Sequence, residues 1–129
     1  MYKSKQIMEA IQDGIKDAEW DRKVWMRFQR RVYYIKIDFS QKKQFGYLED
    51  WMEKNRRAIF YLATPPDLYG SICKHMEGSG CIFEGTSVVL EKPIGHDLAS
   101  SQAVNDTVGR YFSERNIYRI DHYLGKETV

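Results

Sequence analysis

The segment at positions 119–127, RIDHYLGKE, places an acid, an imidazole, a phenol and an ammonium group within six consecutive positions. If a helix begins near His122, this imidazole and the ammonium of Lys126 lie one turn apart, close to the free N–H groups of the helix amino terminus. Fixed positive charge, directional donors and a helix amino terminus together suit a phosphate dianion, such as that of a sugar phosphate. The carboxylate of Asp121 repels such a ligand, and it suits a different task, the orientation of a histidine base from elsewhere.

Each of these residues also has a structural interpretation. Aspartate often caps a helix, and histidine and tyrosine often complete a packed surface. The spacing alone therefore leaves both a phosphate site and a capped, packed helix start open.

The elements that must position these groups alternate along the chain. Apolar residues at helical spacing predict helices, and β-branched or nearly continuous apolar runs predict strands. Alternating strands and helices predict an α/β fold with a parallel sheet and right-handed crossovers, and a run as apolar as 58–63 indicates a strand covered on both faces. The predicted strands are 32–37, 58–63, 87–92 and Ile117–Ile120. Two helices are predicted over 4–18 and 21–31. Three more follow the apolar stripes of Phe45, Leu48 and Met52, of Leu68, Ile72 and Met76, and of Val104, Val108 and Phe112, the last after a cap at Asp97 or its neighbours.

Three tripeptides follow the last three predicted strands: TPP at 64–66, EKP at 91–93 and DHY at 121–123. Carboxyl ends of parallel strands share one edge of the sheet, where open α/β sheets bind ligands. Lys92, held beside Pro93, could there bind both a phosphate-bearing cofactor and a polar substrate. A lone lysine at a strand end is usually a solvated surface group, but the convergence of three motifs favours a ligand site.

Composition bounds the class of protein. The chain has 129 residues, 43% hydrophobic and 29% charged, as in a soluble globular protein with one modest core. A net charge of +2 requires neither a nucleic-acid nor a membrane partner. Cys73 and Cys81 have no metal-ligand spacing and read as reduced thiols, and neither a leader nor a membrane span is recognisable, so we expect a cytoplasmic protein without a metal.

One alternative concerns the basic residues of the second predicted helix. They are interleaved with Trp25 and Phe28, a combination that nucleic-acid-binding helices also use. Acidic neighbours at Asp17, Glu19 and Asp21 favour a solvated charged face instead. The basic residues are Arg22, Lys23, Arg27, Arg30 and Arg31.

The chain resembles glucose-6-phosphate dehydrogenases from about Val32 onward. Three motifs occur in that family's order and approximate spacing. They are YLATPP with Tyr69 after it, EKPIG with Asp97, Leu98 and Ser101 after it, and RIDHYLGKE. RIDHYLGKE is specific, whereas EKP alone is shared with other sugar oxidoreductases, and Ile94 stands where the family more often has phenylalanine. The resemblance implies a partial Rossmann-like sheet with flanking helices, lacking the first strands and the glycine-rich loop, over 1–120, and the start of a substrate and dimerisation domain over 121–129.

The resemblance also implies roles for individual residues. In the family's reaction, glucose 6-phosphate gives a hydride from C1 to NADP while a histidine removes the hydroxyl proton, which yields the lactone and begins the pentose phosphate pathway. Asp121 would brace that histidine, and Lys92 would touch both substrate and cofactor. The remaining substrate contacts would be His122, Tyr123, Leu124, Gly125 and Lys126, and the remaining cofactor contacts Tyr69, Asp38 and Phe39.

The same resemblance makes the chain an expected internal fragment. Family members begin with a strand, a glycine-rich loop and an arginine that reads the cofactor's extra phosphate, and they continue into a domain that carries the catalytic histidine and the contacts of a homo-oligomer. None of His75, His96 and His122 matches that base, so the chain alone is expected to be inactive, and the sheet would have an open apolar edge. The alternative is a stand-alone, non-catalytic sugar-phosphate-binding or interaction module.

Overall fold

The computed structural model of the chain describes residues 4–15, 21–52, 57–92, 94–95 and 97–120. It divides into two compact units, Met1–Lys36 and Ile37–Val129. The first unit contains helix α1 (Ser4–Gly14) and helix α2 (Arg22–Gln29). The carboxylate of Asp21 caps α2 by accepting from the first backbone N–H groups, and the ring of Trp25 stacks on Phe28 with centroids 5.6 Å apart.

The second unit is an α/β domain. Its strands form a parallel sheet in the order β1-β2-β3, with Val88 of the central strand opposite Phe60 and Ile117. This confirms the predicted α/β class and parallel topology. In chain order the elements are α3 (Lys42–Trp51), β1 (Ile59–Leu62), a 3-10 turn (Pro66–Leu68), α4 (Tyr69–Gly78), β2 (Ser87–Glu91), α5 (Leu98–Gly109), a second 3-10 turn (Glu114–Asn116) and β3 (Ile117–Ile120).

The core lies on one face of this sheet. Side chains alternate along a strand, so Val88 and Leu90 of β2 point to the same side, and both are fully buried. Burying a side chain of this size contributes about 1.5–3 kcal/mol. Helices α3, α4 and α5 supply the facing residues, and the cluster contains Phe45, Leu62, Tyr69, Ile72, Cys73, Met76, Cys81, Val88, Leu90, Val108, Phe112 and Ile117.

The opposite face differs from the prediction for the run 58–63. Ile59 is 69% exposed and Tyr61 49%, and on β3 Tyr118 is 53% exposed. The reason is that α4 and α5 contribute their buried side chains to the same core, on the side of Val88 and Leu90. Among the described residues of this unit, one sheet face is therefore covered and the other is not.

The predicted strand at 32–37 is wrong. The structure assigns no regular secondary structure to this segment, although its residues have high β-propensity. A strand needs a neighbour to pair its N–H and C=O groups, and the pairings of the described sheet join β2 to β1 and β2 to β3 only. The apolar and aromatic composition of 32–37 therefore predicted a strand, but no strand among the described residues pairs with this segment.

Most other predicted elements are confirmed with shorter bounds. Helix α1 ends at Gly14 and α2 at Gln29, before the predicted ends at 18 and 31, and Phe112 lies beyond the end of α5. Asp97 caps α5 as predicted, because its carboxylate accepts from the backbone N–H of Ser100 at 2.7 Å. In the described ranges no helix has the length and apolarity needed to cross a membrane.

Candidate functional site

The carboxyl ends of the three strands meet at one edge of the sheet. Leu62, the last residue of β1, pairs with Leu90 of β2. The backbone N–H of Lys92, directly after β2, donates to the carbonyl of Ile120, the last residue of β3, at 3.3 Å. The side chain of Lys92 is exposed at this edge. Of the three tripeptides, TPP and the first two residues of EKP are thus placed at one edge, while DHY follows Ile120 outside the described residues.

Tyr69 connects two of these strand ends from inside the protein. It is the first residue of α4, its side chain is 1% exposed, and its hydroxyl lies 3.3 Å from the carbonyl of Glu91 and 3.5 Å from that of Leu62. Burial raises the pKa of Tyr69, so the phenol stays protonated and acts as a donor. Tyr69 therefore lies at the predicted ligand edge but directs its hydroxyl at protein carbonyls, and its role as a cofactor contact remains a prediction.

A second phenol, that of Tyr61, contacts Glu91 from the open face of the sheet. The hydroxyl of Tyr61 in β1 donates to the carboxylate of Glu91 in β2. This hydrogen bond raises the pKa of Tyr61, because the phenolate would face the carboxylate. Nothing in the sequence alone predicts this contact. It required the register, in which Tyr61 pairs with Val89 and so stands diagonally opposite Glu91 on one face.

One buried oxygen at this edge has no hydrogen-bond partner among the described residues. The hydroxyl of Thr64, two residues past β1, is shielded from solvent and makes no hydrogen bond to the residues that the structure describes. The next two residues, Pro65 and Pro66, have no backbone N–H to offer. A buried hydroxyl without a partner costs about 1–3 kcal/mol, so this edge holds a donor that a ligand could use.

The loop after Lys92 packs closely against the start of α5. A Cβ atom added to Gly95 would lie 2.6 Å from the backbone nitrogen of Ser101, so only glycine allows this approach. Asp97 and Ser100 form a reciprocal capping box in the same turn. The first turn of α5 is thereby closed by its own side chains, and it fixes the chain that leaves the ligand edge.

Asp38 and Phe39, the other predicted cofactor contacts, lie elsewhere. The carboxylate of Asp38 accepts from the backbone and hydroxyl of Ser40, which lowers the pKa of Asp38. The carbonyl of Phe39 is 2.9 Å from Nδ1 of His75, near the end of α4 that leads towards the amino end of β2. Tyr69 is at the other end of this helix, and six residues separate His75 from it, about 9 Å of helix rise. The structure does not bring this turn together with the strand ends, and its cofactor role remains a prediction.

The two cysteines have the environments of core residues. Both are buried and neither forms a disulfide, and burial raises the pKa of Cys73 from its ordinary value of 9.0 to about 11. Cys73 is therefore a protonated thiol at neutral pH and not a nucleophile. Within the described ranges, no group of three or more histidine, cysteine, aspartate or glutamate side chains is arranged to hold a metal ion.

The densest predicted cluster lies outside the described residues, as do Pro93 and His96. Its roles therefore remain predictions. The residues concerned are Asp121, His122, Tyr123, Leu124, Gly125 and Lys126.

A parallel sheet with polar side chains at its carboxyl edge is typical of α/β domains that bind ligands outside the carboxyl ends of their strands. The family model for "Glucose-6-phosphate dehydrogenase, NAD binding domain" matches residues 1–129. The chain belongs to the glucose-6-phosphate dehydrogenase family, which confirms the resemblance seen in its motifs.

Relatives and solved structures agree with this assignment. The glucose-6-phosphate 1-dehydrogenase of Rhizobium meliloti is 39% identical over 94% of the chain, and that of Gluconobacter oxydans is 48% identical over 80%. A crystal structure of the Mycobacterium avium enzyme superposes with a TM-score of 0.88 at 28% identity over 96% of the chain, and a glucose-6-phosphate dehydrogenase in complex with glucose 6-phosphate superposes with a TM-score of 0.83 at 27% identity over 98%. The chain spans about a quarter of the length of these proteins: 25% and 22% of the two relatives and 28% of each structure.

Proposed function

We propose that the complete polypeptide containing this chain is a glucose-6-phosphate 1-dehydrogenase, which oxidises glucose 6-phosphate to the 6-phosphoglucono-lactone with NADP. The single observation that carries the proposal is the family match over the whole chain. The carboxyl edge that bears Lys92 supports it. The name of each relative and the bound substrate of the second solved structure give the substrate class.

Each residue would act according to its chemistry. The ammonium of Lys92 would bind a phosphate or hydroxyl oxygen of both ligands as a mobile point charge. The segment from His122 to Lys126 would hold the hexose phosphate through charge and directional donors. Asp121 would orient a histidine that removes the proton of the C1 hydroxyl, because a carboxylate fixes the tautomer of a neighbouring imidazole.

The described residues fit a pyridine nucleotide at this edge. When bound, the nicotinamide accepts the hydride that leaves C1. Thr64 offers a hydroxyl that no described residue pairs with, and rotation of its χ1 between staggered wells would turn that hydroxyl towards a ligand. Tyr69, Asp38 and Phe39 would contribute further cofactor contacts, as the resemblance implies. NADP in preference to NAD rests on the family resemblance.

The direct test is a kinetic assay of the complete polypeptide that the gene encodes, with glucose 6-phosphate and either nucleotide. We expect reduction of NADP at a higher kcat/KM than reduction of NAD, with no turnover of unphosphorylated glucose at the same concentration. Calorimetry with glucose 6-phosphate accompanies the assay. Binding without turnover would replace the proposal with the non-catalytic module. The absence of both binding and turnover would contradict the dehydrogenase and the module alike.

Replacing Thr64 by valine tests the cofactor contact, with opposite expected effects on two quantities. The ligand-free protein should gain about 1 kcal/mol of stability, because an unpaired buried hydroxyl is removed, while NADP binding should weaken about fivefold to tenfold. Thermal unfolding measures the first and calorimetry the second. The matched control is Thr107→Val, since the hydroxyl of Thr107 already donates to the carbonyl of Ala103 at 2.7 Å.

Two other outcomes would contradict this contact. A loss of stability in ligand-free Thr64→Val would mean that the hydroxyl has a protein partner. Unchanged affinity for NADP would mean that it has no role in the ligand site.

The proposed function also implies a cellular compartment and an oligomeric state. Two buried cysteines that form no disulfide suit a reducing compartment, and we infer the cytoplasm, where this reaction would begin the pentose phosphate pathway. As the resemblance implies, we expect a homo-oligomer formed through parts of the family's sequence other than those described, which size-exclusion chromatography with light scattering would measure.

A further inference from the structure

Glu91 is held by two phenols that come from different elements and from opposite sides. Its carboxylate accepts from Tyr61 of β1, on the open face of the sheet. Its backbone carbonyl lies 3.3 Å from the hydroxyl of Tyr69, the first residue of α4, on the buried side. Position 91 is therefore tied both to the neighbouring strand and to the helix that follows that strand.

The next residue along the chain is Lys92, whose own backbone is tied a third time. Its N–H donates to the carbonyl of Ile120 at the end of β3. The side chain of Lys92 is exposed and carries its ammonium on a flexible four-carbon stem. The region that the ammonium can reach at the ligand edge therefore depends on where the backbone of Lys92 is fixed. The two contacts on Glu91 and the one on Lys92 all act on this part of the backbone.

We propose that Tyr61 and Tyr69 form a clamp on Glu91 that positions the backbone of Lys92 at the ligand edge. Tyr61 and Tyr69 are positioning residues in this account, and they act through Glu91 and Lys92 rather than by contact with the reacting atoms. For Tyr69 this gives the hydroxyl of a side chain that is only 1% exposed a role within the protein. The catalytic part of the proposal rests on the function proposed above, whereas the mechanical part does not.

The mechanical part is measured in the ligand-free complete polypeptide by hydrogen exchange of the Lys92 amide. Removing either phenolic oxygen, in Tyr61→Phe or Tyr69→Phe, should let the end of β2 open more often, and we expect the Lys92 amide to exchange about tenfold faster. Tyr118→Phe is the matched control. Tyr118 stands in the same row of the open face as Tyr61, and no hydrogen bond is described for its hydroxyl, so the exchange rate should be unchanged.

The catalytic part is tested by measuring how each substitution changes KM and kcat separately. Because a misplaced Lys92 binds both ligands less well but transfers no proton, the KM values for glucose 6-phosphate and NADP should both rise about tenfold, while kcat changes less than about twofold. Glu91→Gln keeps an acceptor for Tyr61 and should stay close to the unmodified protein. Glu91→Ala should match Tyr61→Phe, and the double variant should be no worse than either single one.

These measurements separate the failure of one proposal from the failure of the other. Equal exchange of the Lys92 amide in the unmodified protein and both phenylalanine variants would overturn the clamp. Faster exchange in a protein that neither binds nor oxidises glucose 6-phosphate would leave the clamp standing and remove the dehydrogenase. Faster exchange with both KM values unchanged would limit the clamp to a structural tie and overturn its positioning role.

Discussion

Replacing Lys92 by alanine should reduce kcat/KM for glucose 6-phosphate about a hundredfold to a thousandfold, because a charged partner of an anionic ligand is lost. The ammonium of Lys92 is exposed and extends from a strand end that hydrogen bonds hold in place. The substitution therefore removes the charge without removing a core contact. Steady-state kinetics of the complete polypeptide measure the change. The KM for NADP should rise as well, because Lys92 is proposed to touch both ligands.

The control for this substitution is Lys74→Ala. Lys74 is an exposed lysine of α4, between buried Cys73 and half-buried His75. Its removal should change kcat/KM less than about twofold. Equal losses in the two variants would show that net charge, and not a bound ligand at the sheet edge, determines the rate.

Replacing Leu90 by alanine should lower the free energy of unfolding by about 3 kcal/mol, which is a large part of the stability of an ordinary domain. Leu90 is fully buried on the central strand, between paired residues of β1 and β3. The three strands keep their positions by hydrogen bonding, so the space left by the side chain does not close easily. Urea unfolding of the 129-residue chain, followed by circular dichroism, measures the loss.

Leu98→Ala is the matched control for the core. Leu98 begins α5 and is 75% exposed, so the same truncation should change the free energy of unfolding by less than about 0.5 kcal/mol. If both leucines gave similar losses, the buried face of the sheet would not be the core of this unit.

The sequence was sufficient for the elements whose signals are local. Helical periodicity around Ile72 and Met76, the cap at Asp97 and the short apolar strand Ile117–Ile120 each lie within a few residues, and the structure has an element at each place. The segment 32–37 shows the limit of such signals. Its β-propensity is high, but a strand exists only where another strand pairs with it, and that depends on distant parts of the chain.

The ligand edge was predictable only in part for a related reason. Parallel topology follows from the alternation of elements and places the ends of β1, β2 and β3 at one edge. The contact between Tyr61 and Glu91 depends on the register of two strands 30 residues apart in sequence, and the open oxygen of Thr64 depends on what packs around it. The position of Asp38 and Phe39 beside His75 likewise needed the packing of α3 on α4.

The most direct measurement of the central claim is a crystal structure of the complete polypeptide with glucose 6-phosphate. The account predicts one hexose phosphate at the carboxyl edge of β1, β2 and β3, with Nζ of Lys92 about 3 Å from a ligand oxygen and the segment from His122 to Lys126 around its phosphate. A ligand bound at the opposite end of the sheet, or Lys92 and Lys126 on opposite sides of the molecule, would contradict it.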